Sequence, residues 1–143
     1  MDTQKKQLIT WDGVNVCVRL KLAALWTSLM FLIIYLDYFH LYMPGKIEDI
    51  SQGKVYIFEI TQGFLFGALS SVAIPTLMIF FSVAFSVSVN RWTNITVASV
   101  YIPFMLFNLA GEAWPHMVFG AFLEVVLLSL IIIYAWKWPR IEK

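Results

Sequence analysis

Two carboxylic acids stand where an apolar chain has least use for them. Glu124 lies inside the longest apolar run, HMVFGAFLEVVLLSLIIIYAWKWP from His116 to Pro139, and Asp37 falls near the end of another, LAALWTSLMFLIIYLDYFHLYM. An ionised acid at the centre of a membrane helix costs about 2.5–3.5 kcal/mol on insertion scales, so it must be neutral, paired or hydrated. Two acids that share one proton avoid two buried charges. Such a pair can hold a cationic or polar group, exchange a proton, or act as general acid and base on an apolar substrate. The structural alternative is a hydrogen bond between helices that fixes their register. Tyr38, His40 and Asn108 on the neighbouring runs, with Glu112 and His116 at the rim, complete a candidate ligand or proton site. No metal is expected. Glu112 and His116 are four residues apart, but Pro115 intervenes and they need not share a helix face. No catalytic residue and no cofactor is assigned, because the chain lacks a nucleophile elbow, a phosphate loop and a dinucleotide fingerprint.

The elements that must position these acids follow from hydropathy. Of 143 residues 60% are hydrophobic and 13% charged, with a mean hydropathy of +0.77, which is far from a soluble domain and close to a polytopic membrane protein. We read an all-α, integral membrane four-helix bundle forming one domain over residues 1–143, with spans at about 19–42, 60–89, 95–110 and 116–138. Pro44 and Gly45 stop the first run. The mixed-charge stretch after them, PGKIEDISQGKVYIFEITQ, is the one long connection, and a short interfacial helix between Gly45 and Gly53 is expected within it. Asn90, Arg91, Trp92, Thr93 and Asn94 read as a tight turn between the second and third spans, because Asn suits helix caps. Within that turn Asn94-Ile95-Thr96 matches a glycosylation sequon, which we take as accidental. The formal net charge of +1 and the lack of a basic, aromatic-interleaved patch exclude a nucleic-acid partner. The single cysteine, Cys17, can form no internal disulfide.

Basic residues give the orientation. Lys5, Lys6, Arg19, Lys21, Arg91, Lys137, Arg140 and Lys143 fall at both ends of the chain and in the middle turn, whereas the other connections carry Glu48, Asp49, Glu59 and Glu112. The positive-inside rule therefore places both termini in the cytoplasm of a multi-pass protein of the cell (inner) membrane, with Arg91, Trp92, Trp136, Lys137 and Trp138 as interface anchors. Counting from the helix ends, Asp37 and Glu124 lie about 10 and 12 Å below the outer rim, at a shared depth. The inner half carries hydroxyls but no acid, so a cavity opening outward is expected. Gly63-xxx-Gly67 with Ser71 makes a small-residue stripe suited to close helix packing. Pro75 should kink the second span and free a carbonyl that a neighbour must satisfy. An aromatic cage around Tyr35, Tyr38 and Tyr101 is a further reading.

The blocks PGKIEDISQGKV, ITQGFL, VAIPTLMIF, VNRWTNI, GEAW and FLEVVLLSLIIIYAWKWP resemble a bacterial family of small four-helix membrane proteins known only as a domain of unknown function. The resemblance covers the chain from about Arg19 to Pro139 and implies four membrane helices and no assigned activity. In layout alone the chain is also similar to DoxX-like membrane proteins. Three functions follow from the residues: a bundle that binds a small, apolar, cationic or lipid-like molecule and couples it to a proton; an assembly subunit that packs through the Gly63 and Gly67 stripe as a homo-oligomer; and a small membrane enzyme with Glu124 as acid or base. The first is preferred, and the lipid bilayer is the expected partner.

Overall fold

The computed structural model describes residues 16–110 and 113–138. Its elements, in chain order, are α1 (Val18–His40), α2 (Lys46–Ser51), β1 (Lys54–Val55), β2 (Phe58–Glu59), α3 (Gln62–Ala84), α4 (Val87–Phe107) and α5 (Pro115–Trp136). Helices α1, α3 and α5 are each long and apolar enough to cross a bilayer. Helix α4 is nearly as long, 21 residues, but falls outside that group because Asn90, Arg91 and Asn94 dilute its apolar character. Local chemistry sets the starts. Thr61 caps α3 by accepting the Phe64 backbone N–H at 3.1 Å, and Pro115 occupies the first turn of α5, where its missing N–H is no loss.

Helix α1 packs along α3 and α5, α5 packs along α4, and α3 touches α4 only lightly. The start of α1, the end of α3, the start of α4 and the end of α5 meet at one end of the molecule, since Arg19 reaches Val83, Trp26 reaches Asn94 and Lys21 lies over the Tyr134 ring. Apolar residues at helical spacing build the core: Leu22, Trp26, Leu29 and Ile33 from α1, Met78 from α3, Ala98, Tyr101 and Met105 from α4, and Leu128 and Ile131 from α5. Most of the buried residues lie toward the end where the start of α1 meets the end of α5; along α3 they are Pro75, Met78 and Ser82, all in its second half. Outward faces are covered with exposed Phe, Leu, Ile and Val, the composition a lipid environment requires.

One turn lies elsewhere than the sequence reading put it. The chain reverses at Phe85 and Ser86, so Asn90 to Asn94 are the first turns of α4 and not a loop. The reason is visible in the side chains. Asn90 and Asn94 are fully buried, and the Asn90 amide donates to the Ser82 carbonyl at 2.5 Å while Arg19 donates to the Val83 carbonyl at 3.1 Å. Both carbonyls belong to the last turn of α3, which has no partners of its own. The asparagine therefore does cap a helix, but from inside the next one. Asn94 completes the knot, accepting from the Trp26 indole at 2.7 Å and from Ser82 at 3.2 Å and donating to Asn90. Its burial closes the sequon to any glycan.

The long connection folds as expected in part. Helix α2 occupies the span foreseen between Gly45 and Gly53, but the residues after it form a two-stranded antiparallel ribbon, Lys54 opposite Glu59 and Val55 opposite Phe58, before α3 begins at Gln62. Tyr56 turns the ribbon with φ of +58°, and its ring lies 5.7 Å from the buried Lys46 ammonium, a cation–π contact that ties ribbon to helix.

Candidate functional site

Helices α1 and α5 run antiparallel, and Leu36 meets Gly120 between them. A β-carbon placed on Gly120 would run into the Leu36 side chain, so any larger residue there makes the leucine shift. Leu36 precedes Asp37, and Gly120 lies one turn before Glu124, so the contact brings the two acid-bearing turns together. Side chains lean toward the N-terminus of their own helix. In an antiparallel pair Asp37 and Glu124 therefore lean toward one another, and the Asp37 charge acts on Glu124, while the His40 charge acts on Asp37.

The two acids differ in surroundings. Glu124 is 6% exposed, on the core-facing stripe of α5 with Gly120, Ala121 and Leu128. Among the described residues nothing forms a hydrogen bond with its carboxyl. Asp37 continues the stripe of α1 that includes Trp26, Met30 and Ile33, yet it is exposed, because the core gives out before the helix does. His116 lies two turns before Glu124 in α5, its Nε2 buried and without a hydrogen-bond partner among the described residues, its ring edge-on to Trp114 at 6.2 Å. The polar groups brought together between α1 and α5 are thus Asp37 and Glu124, with His40 acting on Asp37.

The remaining candidates are placed as follows. Tyr38 is exposed and its hydroxyl pairs with that of Tyr42 at 2.5 Å, one turn on, away from the acids. Asn108 forms the C-terminal cap of α4 and is exposed. Glu112 lies outside the described residues. A β-carbon on Gly67 would meet open space and one on Gly63 only the Thr61 hydroxyl at 3.9 Å, so the close approach to another helix belongs to Gly120. Tyr101 is committed elsewhere and leaves the aromatic cage incomplete: its hydroxyl donates at 2.6 Å to the Ser71 carbonyl, the one that Pro75, four residues on and lacking an N–H, leaves unpaired. Of the interface anchors, Trp92 and Trp136 are exposed, the Arg91 guanidinium lies 5.5 Å from the centre of the Trp136 ring, Lys137 ends α5, and Trp138 packs against the core.

Two features carried no signal in sequence reading. Gly120 was hidden because a lone glycine in an apolar helix has no motif around it. The Asn90–Asn94–Ser82–Trp26 network was hidden because its members read as turn and anchor residues. The two best-formed surface grooves, about 590 and 580 Å³, lie by the α1–α2 connection and between α1 and α3, and neither includes Asp37 or Glu124. Residues 7–143 match the model of a family of unknown function (DUF6326). No curated protein and no solved structure matches the chain.

Proposed function

As the chain belongs to that family, which has no assigned activity, we propose from its own chemistry that it is a four-helix membrane protein that binds a lipophilic cation at Asp37 and Glu124. The observation that carries this reading is a buried carboxyl on α5 with no hydrogen-bond partner among the described residues, set beside a second acid that is open to the outside of the bundle. An acid inside an apolar helix with no cation beside it among the described residues is costly to ionise, and a ligand that supplies the counter-charge is a direct remedy. Asp37 receives the cation and Glu124, deeper, holds it. Where the acids share a proton, binding of a permanent cation expels it. Both termini and the Phe85–Ser86 turn face the cytoplasm, and the Asp37–Glu124 pair opens to the opposite side.

The test uses tetraphenylphosphonium and the protein in lipid nanodiscs, by calorimetry in two buffers of different ionisation enthalpy. The expected result is saturable binding with proton release, weakened at least about tenfold, the scale of one lost charge contact, in Glu124→Gln and in Asp37→Asn. Binding unchanged in Glu124→Gln overturns the reading. A second reading, assembly of several copies through α3, is supported by the open Gly63 and Gly67 face. Native mass spectrometry in mild detergent that finds only monomer removes it.

A further inference from the structure

We propose that the groove between α1 and α3 holds one acyl chain of an anionic phospholipid whose phosphodiester is bound by Arg19. This rests on the membrane placement above and is independent of the Asp37–Glu124 site. The groove has a volume of about 580 Å³ and is lined by Ala23, Thr76, Ile79, Phe80, Val83 and Ala84. From Ala84 to Thr76 it extends about 12 Å along α3, the reach of the inner part of an acyl chain. Its wall is almost wholly apolar. The single hydroxyl in it, on Thr76, is already spent on the Val72 carbonyl at 2.8 Å and turned to the Met30 sulfur.

What distinguishes this groove from ordinary lipid-facing surface is the cation fixed at its inner mouth. Arg19 lies one turn before Ala23, and its Nη1 donates at 3.1 Å to the carbonyl of Val83, itself a lining residue. That bond uses one of five guanidinium donors and pins the group at the end of the groove. Among the described residues no acid lies beside it: α3 and α4 contain no Asp or Glu, and Asp37, the one acid of α1, lies five turns away. A planar guanidinium with spare donors matches phosphate oxygens. The apolar groove and the tethered arginine with its spare donors together describe an anionic lipid, headgroup at the cytoplasmic rim and chain between the helices.

The test is native mass spectrometry of the full chain, purified from membranes and mixed with equal amounts of phosphatidylglycerol and phosphatidylcholine. The wild type should retain phosphatidylglycerol preferentially. Arg19→Gln should reduce that preference roughly tenfold, the size of one charge-assisted contact, and Ala84→Phe, an exposed position that fills the groove without entering the core, should reduce retention of either lipid. Lys21→Gln removes the same charge from the same end of α1 but away from the groove, and should leave the preference intact. Equal losses in Arg19→Gln and Lys21→Gln would show a diffuse charge effect and overturn the proposal, as would unchanged retention in Ala84→Phe. Thermal unfolding of each variant identifies any that lost its fold; Arg19→Lys, which keeps the charge but not the fork, should then show an intermediate preference, and a preference equal to that of Arg19→Gln refutes the headgroup contact. A chain that partitions out of the membrane fraction altogether contradicts the membrane placement, a result distinct from loss of lipid preference in a protein that remains there.

Discussion

Replacing Tyr101 by phenylalanine removes one oxygen atom and isolates a single bond. The Tyr101 hydroxyl donates at 2.6 Å to the Ser71 carbonyl, which has no helical partner because Pro75 has no N–H. Leaving a buried carbonyl unpaired costs about 1–3 kcal/mol, whereas hydrogen bonds between membrane helices average nearer 0.6 and reach about 1.7 kcal/mol. We expect Tyr101→Phe to destabilise the fold by about 1 kcal/mol. The cause can be separated from loss of packing by repeating the substitution in a Pro75→Ala background. Alanine restores the N–H and satisfies Ser71 from within α3, so Tyr101→Phe should then cost less than about half as much. The cavity left by Pro75→Ala is common to both arms and cancels. Reversible unfolding in mixed micelles gives all four stabilities. A Tyr101→Phe cost equal in both backgrounds would refute the coupling of the tyrosine to the proline.

Gly120→Ala should destabilise by about 1–3 kcal/mol, since its β-carbon meets Leu36, and Leu36→Ala should recover part of that loss; Gly67→Ala, with open space around it, should stay within about 0.5 kcal/mol, all by the same unfolding assay. Asn94→Leu leaves the Trp26 indole and the Ser82 hydroxyl without their acceptor and should cost about 2–4 kcal/mol, with a shift in tryptophan emission that Asn108→Leu, at an exposed cap, does not produce. Cys17 is exposed and reduced at the start of α1, so a membrane-impermeant maleimide should label it in inverted vesicles and not in intact cells; labelling from outside reverses the assigned orientation.

The long helices were legible from apolar runs alone, because burial in lipid demands uninterrupted hydrophobicity whatever the fold around it. The freed carbonyl at Pro75 was also legible, since proline removes an N–H in any context; the identity of its donor was not, because Tyr101 is 26 residues away and reads equally well as a cage or belt aromatic. Asn90 and Asn94 misled for a physical reason. An asparagine that caps a helix and one that caps its neighbour from within the next helix have the same local chemistry, and only packing separates them. The Gly63 and Gly67 spacing drew notice as a motif, while Gly120, with no partner at four residues, sets the approach of α1 to α5. The shared depth of Asp37 and Glu124 was an expectation from counting residues from the helix ends, which uses the fixed rise of a helix.

The proline of α3 divides that helix into unequal halves. From Pro75 inward its side chains enter the core; from Gln62 to Ile74 none is buried, although this half carries the capped start of the helix and the ribbon before it. The division falls where one backbone bond is already missing. Mechanically, the half that begins at Gln62 is a lever whose fulcrum is the Ser71–Pro75 turn, and the Tyr101 hydroxyl is the catch that sets its resting angle. A load on the ribbon is thereby transmitted to that hydrogen bond and to Val72 at the edge of the core.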